Sequence, residues 1–359
     1  MRILQIAPAG VPVRSDSTDP IGATLAHLVD GLVARGHDVT LWADPRSQTR
    51  ARRIGSPRTP AQDGAAGAAA LERLYAFQAT SITEEFDVVH NHAGPAVAEL
   101  LWRFSAPSLS TIYHPNGTRV EGKYVTTSWA GRCAAGLKSE RFLGAVYPGV
   151  PVDDLPFGEG AGGYLLYAAP IDAVHGAHLA VAAARRLERP LRIAGPVAPQ
   201  SQPFFEQFIA PAVRSGEALY LGSLTQEQIA REAAGAAALL HPFAAGAGFD
   251  FGAVVALAAG APVVGFRRGA MAEIVAHGET GFLVQEPWEL AGAVDQIDLL
   301  SRRACRRRAH ELFDAEGMVE QLESLYDGLL RGGPFLLGRA THPELEALDP
   351  RPLQPLSAA

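Results

Sequence analysis

Short apolar runs alternate with longer amphipathic segments along the first part of the chain. Ile3 to Ala7 is a mostly apolar run, which is typical of a buried parallel strand. Gly22 to Arg35 places leucine and valine on one face, which predicts a helix that ends at Gly36. The Arg-rich stretch Ser47–Pro60 is predicted to be a loop. The same pattern predicts strands at Val39–Trp42, Val88–His90, Leu109–Tyr113 and Tyr124–Thr127, and helices at Gly67–Thr80 and Pro95–Arg103.

A second alternating series begins after residues 151–163, a stretch rich in glycine, proline and acidic residues that is typical of a linker. Strand–helix alternation of this kind predicts a parallel, doubly wound sheet in each of two domains, at residues 1–150 and 164–331. Residues 332–359 are rich in proline and lack periodicity, so we expect a mobile or draped tail. Ligands of such sheets bind at the carboxyl ends of the strands, which predicts a site in a cleft between the domains.

The elements of the second series have these predicted bounds. The strands are Tyr164–Ala168, Leu191–Ala194, Leu219–Leu221, Ala238–His241 and Val263–Val264. The helices are Ala177–Leu187, Phe204–Val213, Gln226–Ala233, Gly252–Ala259, Met271–Ala276, Glu289–Ile297 and Met318–Leu330.

The composition of the chain argues against several classes of function but does not identify one. The chain has 31 basic and 38 acidic residues and a net charge of −7, which argues against nucleic-acid or membrane-surface binding. Its only lysines are Lys123 and Lys138. Cys133 and Cys305 are too far apart for a paired-cysteine metal motif, and the longest apolar run, Ala253 to Val264, is much shorter than a membrane helix. We therefore expect a cytoplasmic protein without a transmembrane segment or a nucleic-acid partner.

Two further clusters invite functional interpretations that the sequence does not favour. Five arginines at 302–308 surround Cys305, and a charge run of this kind is typical of a solvated helix face. His90, Asn91 and His92 have the composition of a metal site, but their place at a strand end favours polar groups that line a ligand cleft. We therefore predict no metal and no other cofactor.

Several segments together resemble one enzyme family. They are AGAPVV at 259–264, EIV at 273–275, GETGFLV at 278–284, RGHDVTL at 35–41, FDVVHNH at 86–92 and YPGVP at 147–151. In combination they resemble the family 4 glycosyltransferases, retaining enzymes that take a sugar from a nucleotide sugar. The resemblance implies the GT-B fold, in which two Rossmann-like domains face a cleft, with the acceptor on the N-terminal side and the donor on the C-terminal side.

The chain departs from the family pattern where the family holds the donor. The family supports the diphosphate with an arginine and a lysine after the first strand of the second domain; Pro170 and His175 occupy those positions here. Two family glutamates fall on Ala247 and Val255, and the glycine-rich loop becomes residues 19–22. Loss of these charge-assisted contacts weakens support for a leaving diphosphate. The sequence therefore predicts an atypical donor site.

The strand ends and the resemblance together give the candidate site residues. We expect catalytic roles for His114, Asp172 and His175. His114 follows a strand of the first domain, and a protonated His175 would replace the family's lysine in part. The acceptor side is predicted to contain His90, His92, Tyr113 and Arg119. The donor-binding residues are predicted to be Gly22, Leu224, Phe249, Asp250, Gly252, Val255 and Arg268.

Three hypotheses about function stay open on the sequence. The first is an active glycosyltransferase with an altered donor site, acting on a small-molecule or glycan acceptor. The second is an inactive pseudo-glycosyltransferase that binds a partner protein or a glycan. The third is a GT-B relative that uses a non-nucleotide donor. An open polar cleft favours chemistry, whereas a cleft filled by Phe249, Phe251 and Phe266 favours the pseudo-enzyme.

Overall fold

The computed structural model describes residues 1–55, 74–75, 77–113, 122–135, 141–243 and 248–332. The chain forms two compact units. The first contains Met1–Gly149 and a segment that begins at Ala315, and the second contains Val150–Asp314. Several predicted features lie outside the described residues, namely His114, Arg119, Ala247, most of the helix predicted at 67–80 and the tail beyond residue 332.

A parallel sheet of seven strands runs through the described part of the first unit. Its order is β3-β2-β1-β4-β5-β6-β7, and every pairing is parallel. This confirms the doubly wound sheet predicted for the first half of the chain. The strands are β1 (Arg2–Ile6), β2 (Asp38–Ala43), β3 (Arg52–Gly55), β4 (Val88–Asn91), β5 (Ser108–Ile112), β6 (Lys123–Thr126) and β7 (Phe142–Ala145).

Two of these strands were not expected from the sequence. β3 lies within the segment predicted to be a loop. Its residues Arg52 and Arg53 are exposed on the edge of the sheet, where a strand needs no apolar face. β7 lies at the other edge of the sheet, and glycine is one of its two buried residues, so it carries a weak apolar signal. Edge position therefore explains both omissions.

Helix α1 (Pro20–Ala34) covers one face of this sheet. The carboxylate of Asp19 accepts hydrogen bonds from the amides of Ile21 and Gly22, and Pro20 occupies the first turn, where its missing N–H costs nothing. The buried leucines of α1 pack on the apolar side chains of β1 and β2. Two shorter helices, α2 (Gly94–Ala98) and α3 (Trp129–Ala135), follow β4 and β6.

A second parallel sheet, of six strands, forms the centre of the second unit's described residues. Its order is β10-β9-β8-β11-β12-β13, again with every pairing parallel. The unpredicted strand β13 follows the turn at 277–280 and is only half buried, so it carries a weak apolar signal. The strands are β8 (Leu165–Ala168), β9 (Leu191–Ala194), β10 (Ala218–Gly222), β11 (Ala238–His241), β12 (Val263–Phe266) and β13 (Gly281–Val284).

Helices connect these strands on both faces of the sheet. A π-helical segment, Phe205–Ile209, joins α5 to α6, so the single helix predicted there is interrupted by wider turns. The helices are α4 (Ala177–Arg186), α5 (Gln202–Phe204), α6 (Ala210–Arg214), α7 (Gln226–Gly235), α8 (Phe251–Ala258), α9 (Met271–Ile274), α10 (Leu290–Val294) and α11 (Arg302–Phe313).

The arginines of α11 do not form one solvated face. The guanidinium groups of Arg302, Arg306 and Arg308 donate to carbonyl oxygens at the C-terminal ends of α7, α8 and α9, at 2.6–3.1 Å. The last carbonyls of a helix lack partners within the helix and carry its negative dipole end, so a cation is stabilising there. The prediction is therefore wrong for these three residues, whereas Arg303 and Arg307 are exposed.

The segment predicted as a linker is attached to the second unit. The amides of Gly158, Gly160 and Gly162 donate to carbonyl oxygens of Ala259, Ala234 and Gly235. A Cβ atom at residue 158 would lie 2.4 Å from the Ala234 carbonyl oxygen, so only glycine allows this approach. These residues therefore have a fixed conformation in the described structure.

The last helix, α12 (Ala315–Arg331), packs with the first unit rather than with the second, in which the sequence analysis placed it. Its Met318, Leu322 and Leu325 belong to the same buried cluster as the leucines of α1. Gly31 of α1 makes room for α12, because a Cβ atom there would lie 2.7 Å from Val319 Cγ2. Local periodicity predicts the helix but carries no information about which sheet it will cover.

Candidate functional site

The strand order locates the edge of each sheet at which a ligand is expected. In each sheet the order reverses direction once, between β1 and β4 in the first unit and between β8 and β11 in the second. In open parallel sheets, ligands bind outside the carboxyl ends of the strands at such a reversal. A ligand is therefore expected at the loops that follow these strand ends, namely those after β4, β5, β8, β11 and β12.

The loop after β8 forms a closed histidine–aspartate pair. Asp172 Oδ1 accepts a hydrogen bond from the backbone amide of His175 at 2.8 Å, and His175 Nδ1 lies 2.8 and 2.9 Å from the two carboxylate oxygens. Burial opposes ionisation of Asp172, but the hydrogen bonds from His175 prevail and lower the pKa of the carboxyl group. Asp172 is therefore an ionised partner that orients the imidazole ring.

Neighbouring groups fix the same loop from two other sides. The His175 ring stacks on Phe243, which follows β11, with 4.9 Å between ring centroids and 22° between planes. The Tyr167 hydroxyl on β8 donates to the carbonyl oxygens of Pro170 and His175. Gly176 adopts φ 74°, and a Cβ atom there would lie 2.1 Å from the Pro242 carbonyl oxygen. The pair is therefore held in place by packing as well as by its own hydrogen bonds.

A second histidine–aspartate contact lies beside Phe243. His241 Nε2 is 3.1 Å from Asp250 Oδ2, but the two atoms are not aligned for a hydrogen bond. Burial lowers the pKa of His241, although Asp250 acts in the opposite direction. Asp250 also caps α8, because its Oδ1 accepts a hydrogen bond from the Ala253 amide at 2.6 Å.

The remaining residues that were predicted to bind the sugar donor differ in position and burial. Gly252 allows α8 to approach β8, since a Cβ atom there would lie 2.2 Å from the Ala168 carbonyl oxygen. Leu224 is half-buried directly before α7, and Arg268 follows β12 with its guanidinium 5.0 Å from the Phe266 ring centroid. Gly22 and Val255 are buried within α1 and α8.

The phenylalanines do not cover the edge of the second sheet. Phe249 is buried against Phe313, with 5.8 Å between ring centroids. Phe266 belongs to the buried core cluster of the second unit. Phe251 contacts Phe249 and is partly buried. Neither Phe249 nor Phe266 is therefore presented to solvent in the second unit.

In the first unit, the predicted acceptor-side histidines belong to a buried hydrogen-bond network. His90 Nδ1 lies 2.6 Å from the Tyr326 hydroxyl, and His90 Nε2 lies 2.8 Å from Thr111 Oγ1. His92 Nε2 lies 2.8 Å from Gln5 Oε1, and His92 Nδ1 lies 3.1 Å from the Tyr113 hydroxyl. Gln5 Nε2 donates to the Tyr326 hydroxyl at 3.0 Å, which joins the two histidine chains.

Some of these groups can only donate or only accept hydrogen bonds, and this determines which ring nitrogen of each histidine carries its proton. Gln5 Oε1 only accepts, so His92 donates from Nε2 and accepts at Nδ1 from Tyr113. The Tyr326 hydroxyl oxygen accepts a hydrogen bond from Gln5, so the Tyr326 O–H donates to His90 Nδ1. His90 in turn donates from Nε2 to Thr111. Burial lowers the pKa of His92 to about 3 and that of His90 in the same direction, so both rings are neutral at physiological pH.

Several of these residues were not found by sequence reasoning. Gln5 and Tyr326 are 321 positions apart, and only the packing of α12 on the first sheet brings them together. His241 is the last residue of β11 and Phe243 follows the strand, and this strand-end position is a signal that the sequence does contain. Among the described residues there is no group of three His, Cys, Asp or Glu that could hold a metal ion. None of the described helices is long and apolar enough to cross a membrane.

Part of the chain matches a known family. Residues 163–298 match the family described as glycosyl transferases group 1. This range contains β8 to β13, the Asp172–His175 pair and Asp250. The match thus covers most of the second unit.

One curated relative shares a shorter stretch. N-acetyl-alpha-D-glucosaminyl L-malate synthase from Bacillus anthracis is 36% identical over 93 residues, which is 23% of this chain and 24% of that protein. The match therefore spans about a quarter of the relative's length.

Solved structures share the fold across most of the chain. A glycosyltransferase involved in avilamycin A biosynthesis has a TM-score of 0.70 at 21% identity, covering 93% of this chain and 99% of its own. Sucrose-phosphate synthase from Thermosynechococcus elongatus has a TM-score of 0.74 at 18% identity, with coverages of 93% and 100%. HepE from Anabaena, in complex with UDP and glucose, has a TM-score of 0.71 at 17% identity, with coverages of 91% and 100%. Together with the two parallel sheets, these likenesses establish the GT-B fold predicted from the sequence.

Proposed function

We propose that this protein is a glycosyltransferase that moves a sugar from an activated donor to a small-molecule or glycan acceptor through an atypical donor site. The observation that carries the proposal is the Asp172–His175 pair, held at the carboxyl end of β8 in the segment that matches the glycosyltransferase family. The relative from Bacillus anthracis is named for transfer of N-acetylglucosamine to malate, and HepE binds UDP and glucose. Both names support a hexose-type donor sugar.

Within this proposal the donor contacts mainly the second unit, and Gly22 is the one predicted donor contact from the first unit. His175 and Asp172 face the reacting group, Asp250 and Gly252 shape the start of α8, and Arg268 supplies a cation from the end of β12. The other proposed donor contacts are Gly22, Leu224, Phe249 and Val255. The acceptor contacts the first unit, and the proposed contacts are Tyr113, Arg119 and the catalytic candidate His114. His90 and His92 are buried, so they act from behind this surface, where His92 holds the Tyr113 hydroxyl. The protein would act in the cytoplasm without a cofactor.

A transfer assay on the full chain tests this proposal. Donors would include nucleoside diphosphate sugars, sugar 1-phosphates and glycosides, with sugars and small hydroxy acids as acceptors and mass spectrometry as the readout. We expect a transfer product, and we expect His175→Gln and Asp172→Asn to lower kcat by about 100-fold, as is typical of a lost acid–base group. His310→Gln, which changes an exposed histidine on α11, is the matched control and should keep full activity. Full activity in both site variants would show that the site is elsewhere.

A pseudo-glycosyltransferase is the second candidate, and one observation favours it. Val255 occupies a position at which the resemblance implies a donor-holding glutamate, and its side chain is buried in α8. On this alternative the protein binds a glycan or a partner protein without turnover. Absence of product from every donor, together with saturable glycan binding, would favour it over an active enzyme.

A further inference from the structure

One imidazole nitrogen of His175, Nδ1, is hydrogen-bonded to Asp172, and the other, Nε2, can meet a ligand. A carboxylate only accepts hydrogen bonds, so Nδ1 carries a proton that it donates to Asp172. Nε2 makes no hydrogen bond to any other described residue. The side chain is 27% exposed, so a ligand can reach Nε2. Proton exchange at His175 therefore takes place at Nε2, while Asp172 keeps the other nitrogen protonated.

The His175 ring cannot rotate freely, so this arrangement is kept. Phe243 stacks on one face of it, and the backbone of His175 is held by Asp172 and by the Tyr167 hydroxyl. A histidine whose Nδ1 is bound to a carboxylate and whose Nε2 is open has the geometry of an acid–base catalyst. A residue that only filled space would need neither the fixed proton nor the open nitrogen.

The charges around His175 do not suit a leaving diphosphate. Asp172 is in direct contact, and Asp250 lies across Phe243 beside His241. The second unit has no lysine, and its proposed donor-side cation, Arg268, lies at the end of β12 with its guanidinium 5.0 Å from the Phe266 ring centroid. The charged groups beside His175 are therefore carboxylates. Two carboxylates repel an anionic leaving group, whereas a leaving alcohol carries no net charge once it has received a proton.

We propose that His175 donates the Nε2 proton to the leaving oxygen of a neutral glycoside donor, and that Asp172 is the positioning residue that fixes the ring. This inference rests on the proposed glycosyl transfer. In the step, the bond between the anomeric carbon and the leaving oxygen breaks, and its electron pair stays on that oxygen, which takes the proton from Nε2. The acceptor hydroxyl forms the new bond to the anomeric carbon and loses its proton, which returns to Nε2.

Leaving-group dependence is the direct test. The full chain would be assayed with 4-nitrophenyl glycosides to find the sugar, and then with the methyl and 2,4-dinitrophenyl glycosides of that sugar. A methyl glycoside needs proton donation to its leaving oxygen, whereas dinitrophenolate leaves without it. We expect His175→Gln to lower kcat for the methyl glycoside by about 100-fold or more and for the dinitrophenyl glycoside by less than about 5-fold.

Asp172→Asn is the second variant, and its readout is the split between kcat and KM. It should lower kcat for the methyl glycoside with little change in KM, because the ring loses its fixed orientation, and it should lower kcat for the dinitrophenyl glycoside by less than about 5-fold. His310→Gln controls for loss of a histidine elsewhere.

The outcomes separate this inference from the proposed function. An equal loss of activity on both glycosides in His175→Gln would show that His175 is structural, and would overturn the inference. Turnover of nucleoside diphosphate sugars but of no glycoside would also overturn it, while leaving the proposed glycosyl transfer intact. Turnover of no donor of either class would overturn both.

Discussion

At the scale of single residues, two aspartates define the edge of the second sheet. Asp172 binds the amide and the ring of one histidine, and Asp250 caps α8 while it lies beside another. Each carboxylate therefore fixes backbone and contacts an imidazole at the same time. Sequence spacing predicted Asp172, His175 and Asp250 as site residues, because each follows a strand or precedes a helix. Their pairing depends on side-chain directions that spacing does not give.

One residue outside the site adopts a conformation that glycine would adopt more easily. Glu188 has φ 52° and follows α4, where the Arg189 amide donates to Ala184 and the Glu188 amide donates to Arg185. This bonding pattern is the Schellman motif, whose left-handed position usually holds glycine. We expect Glu188→Gly to raise the free energy of unfolding of the second unit by about 0.5–1 kcal/mol, measured by urea denaturation.

Glu188→Ala is the matched control for this prediction. It removes the same charge but keeps a Cβ atom in the left-handed conformation, so it should give no comparable gain. Equal stabilisation by glycine and alanine would mean that the charge of Glu188, and not its backbone, is the unfavourable feature.

At the scale of elements, α11 joins three other helices through its arginines. Arg302, Arg306 and Arg308 bind the carbonyl ends of α7, α8 and α9, and the exposed arginines on the same helix do not. The sequence indicates a basic helix but gives each arginine the same appearance. Only the neighbouring helix ends distinguish the residues that hold the unit together from those that face solvent.

Arg306 offers the clearest test of this role. It donates to the carbonyl oxygens of Val152, Leu155 and Ala258 at 2.7–3.0 Å. Hydrogen bonds to a charged group contribute more than neutral ones, so we expect Arg306→Met to lower the free energy of unfolding by about 2–4 kcal/mol in urea denaturation. Arg303→Met, which changes an exposed arginine one helical turn away, should change it by less than about 0.5 kcal/mol. Equal effects of the two variants would contradict the helix-end role.

The sequence predicted some elements closely and missed others for physical reasons. β9 and β11 have the predicted bounds because both are central strands whose residues are mostly apolar and buried. β3 was missed because an exposed edge strand with two arginines has no buried face. β13 was missed because only alternate residues are buried and the run is four residues long. Apolar periodicity detects burial, so it finds central strands and overlooks edges.

At the scale of the whole molecule, the strand–helix alternation was sufficient to predict two parallel sheets, and the strand orders confirm them. The fold of the first unit also depends on a contact that alternation does not reveal, because α12 packs beside α1 and brings Tyr326 to His90 and Gln5. Long-range pairing of buried polar groups leaves no local signal. The position of the loop after β8 was therefore predictable, and the buried network of the first unit was not.

That network makes the stability of the first unit sensitive to acid. The pKa of His92 is lowered to about 3 by burial, and that of His90 is lowered in the same direction. Unfolded histidine has a pKa of about 6.5, so the unfolded chain binds more protons than the folded chain below that pH. The free energy of unfolding should therefore be largest above about pH 6.5 and fall as the pH is lowered towards 3.

His92→Gln tests this pH dependence, since glutamine is neutral at every pH. Urea unfolding followed from about pH 7 to about pH 4.5 should show a slope shallower by up to about 1.4 kcal/mol per pH unit than in the wild-type protein. His310→Gln removes an exposed histidine and should follow the wild-type curve. An unchanged slope in His92→Gln would show that His92 is not held neutral in the folded state.

We propose glycosyl transfer by a GT-B protein whose donor site does not suit nucleoside diphosphates. Calorimetric titration of the full chain with UDP, ADP, GDP and TDP, and with their glucose conjugates, measures this property. Because the second unit lacks lysine and has Asp172 and Asp250 at the carboxyl edge of its sheet, we predict no saturable binding below about millimolar concentration. Binding of any one of these ligands with a Kd of about 1 μM or lower, and its loss in His175→Gln, would show instead that the site around His175 accepts nucleoside diphosphates.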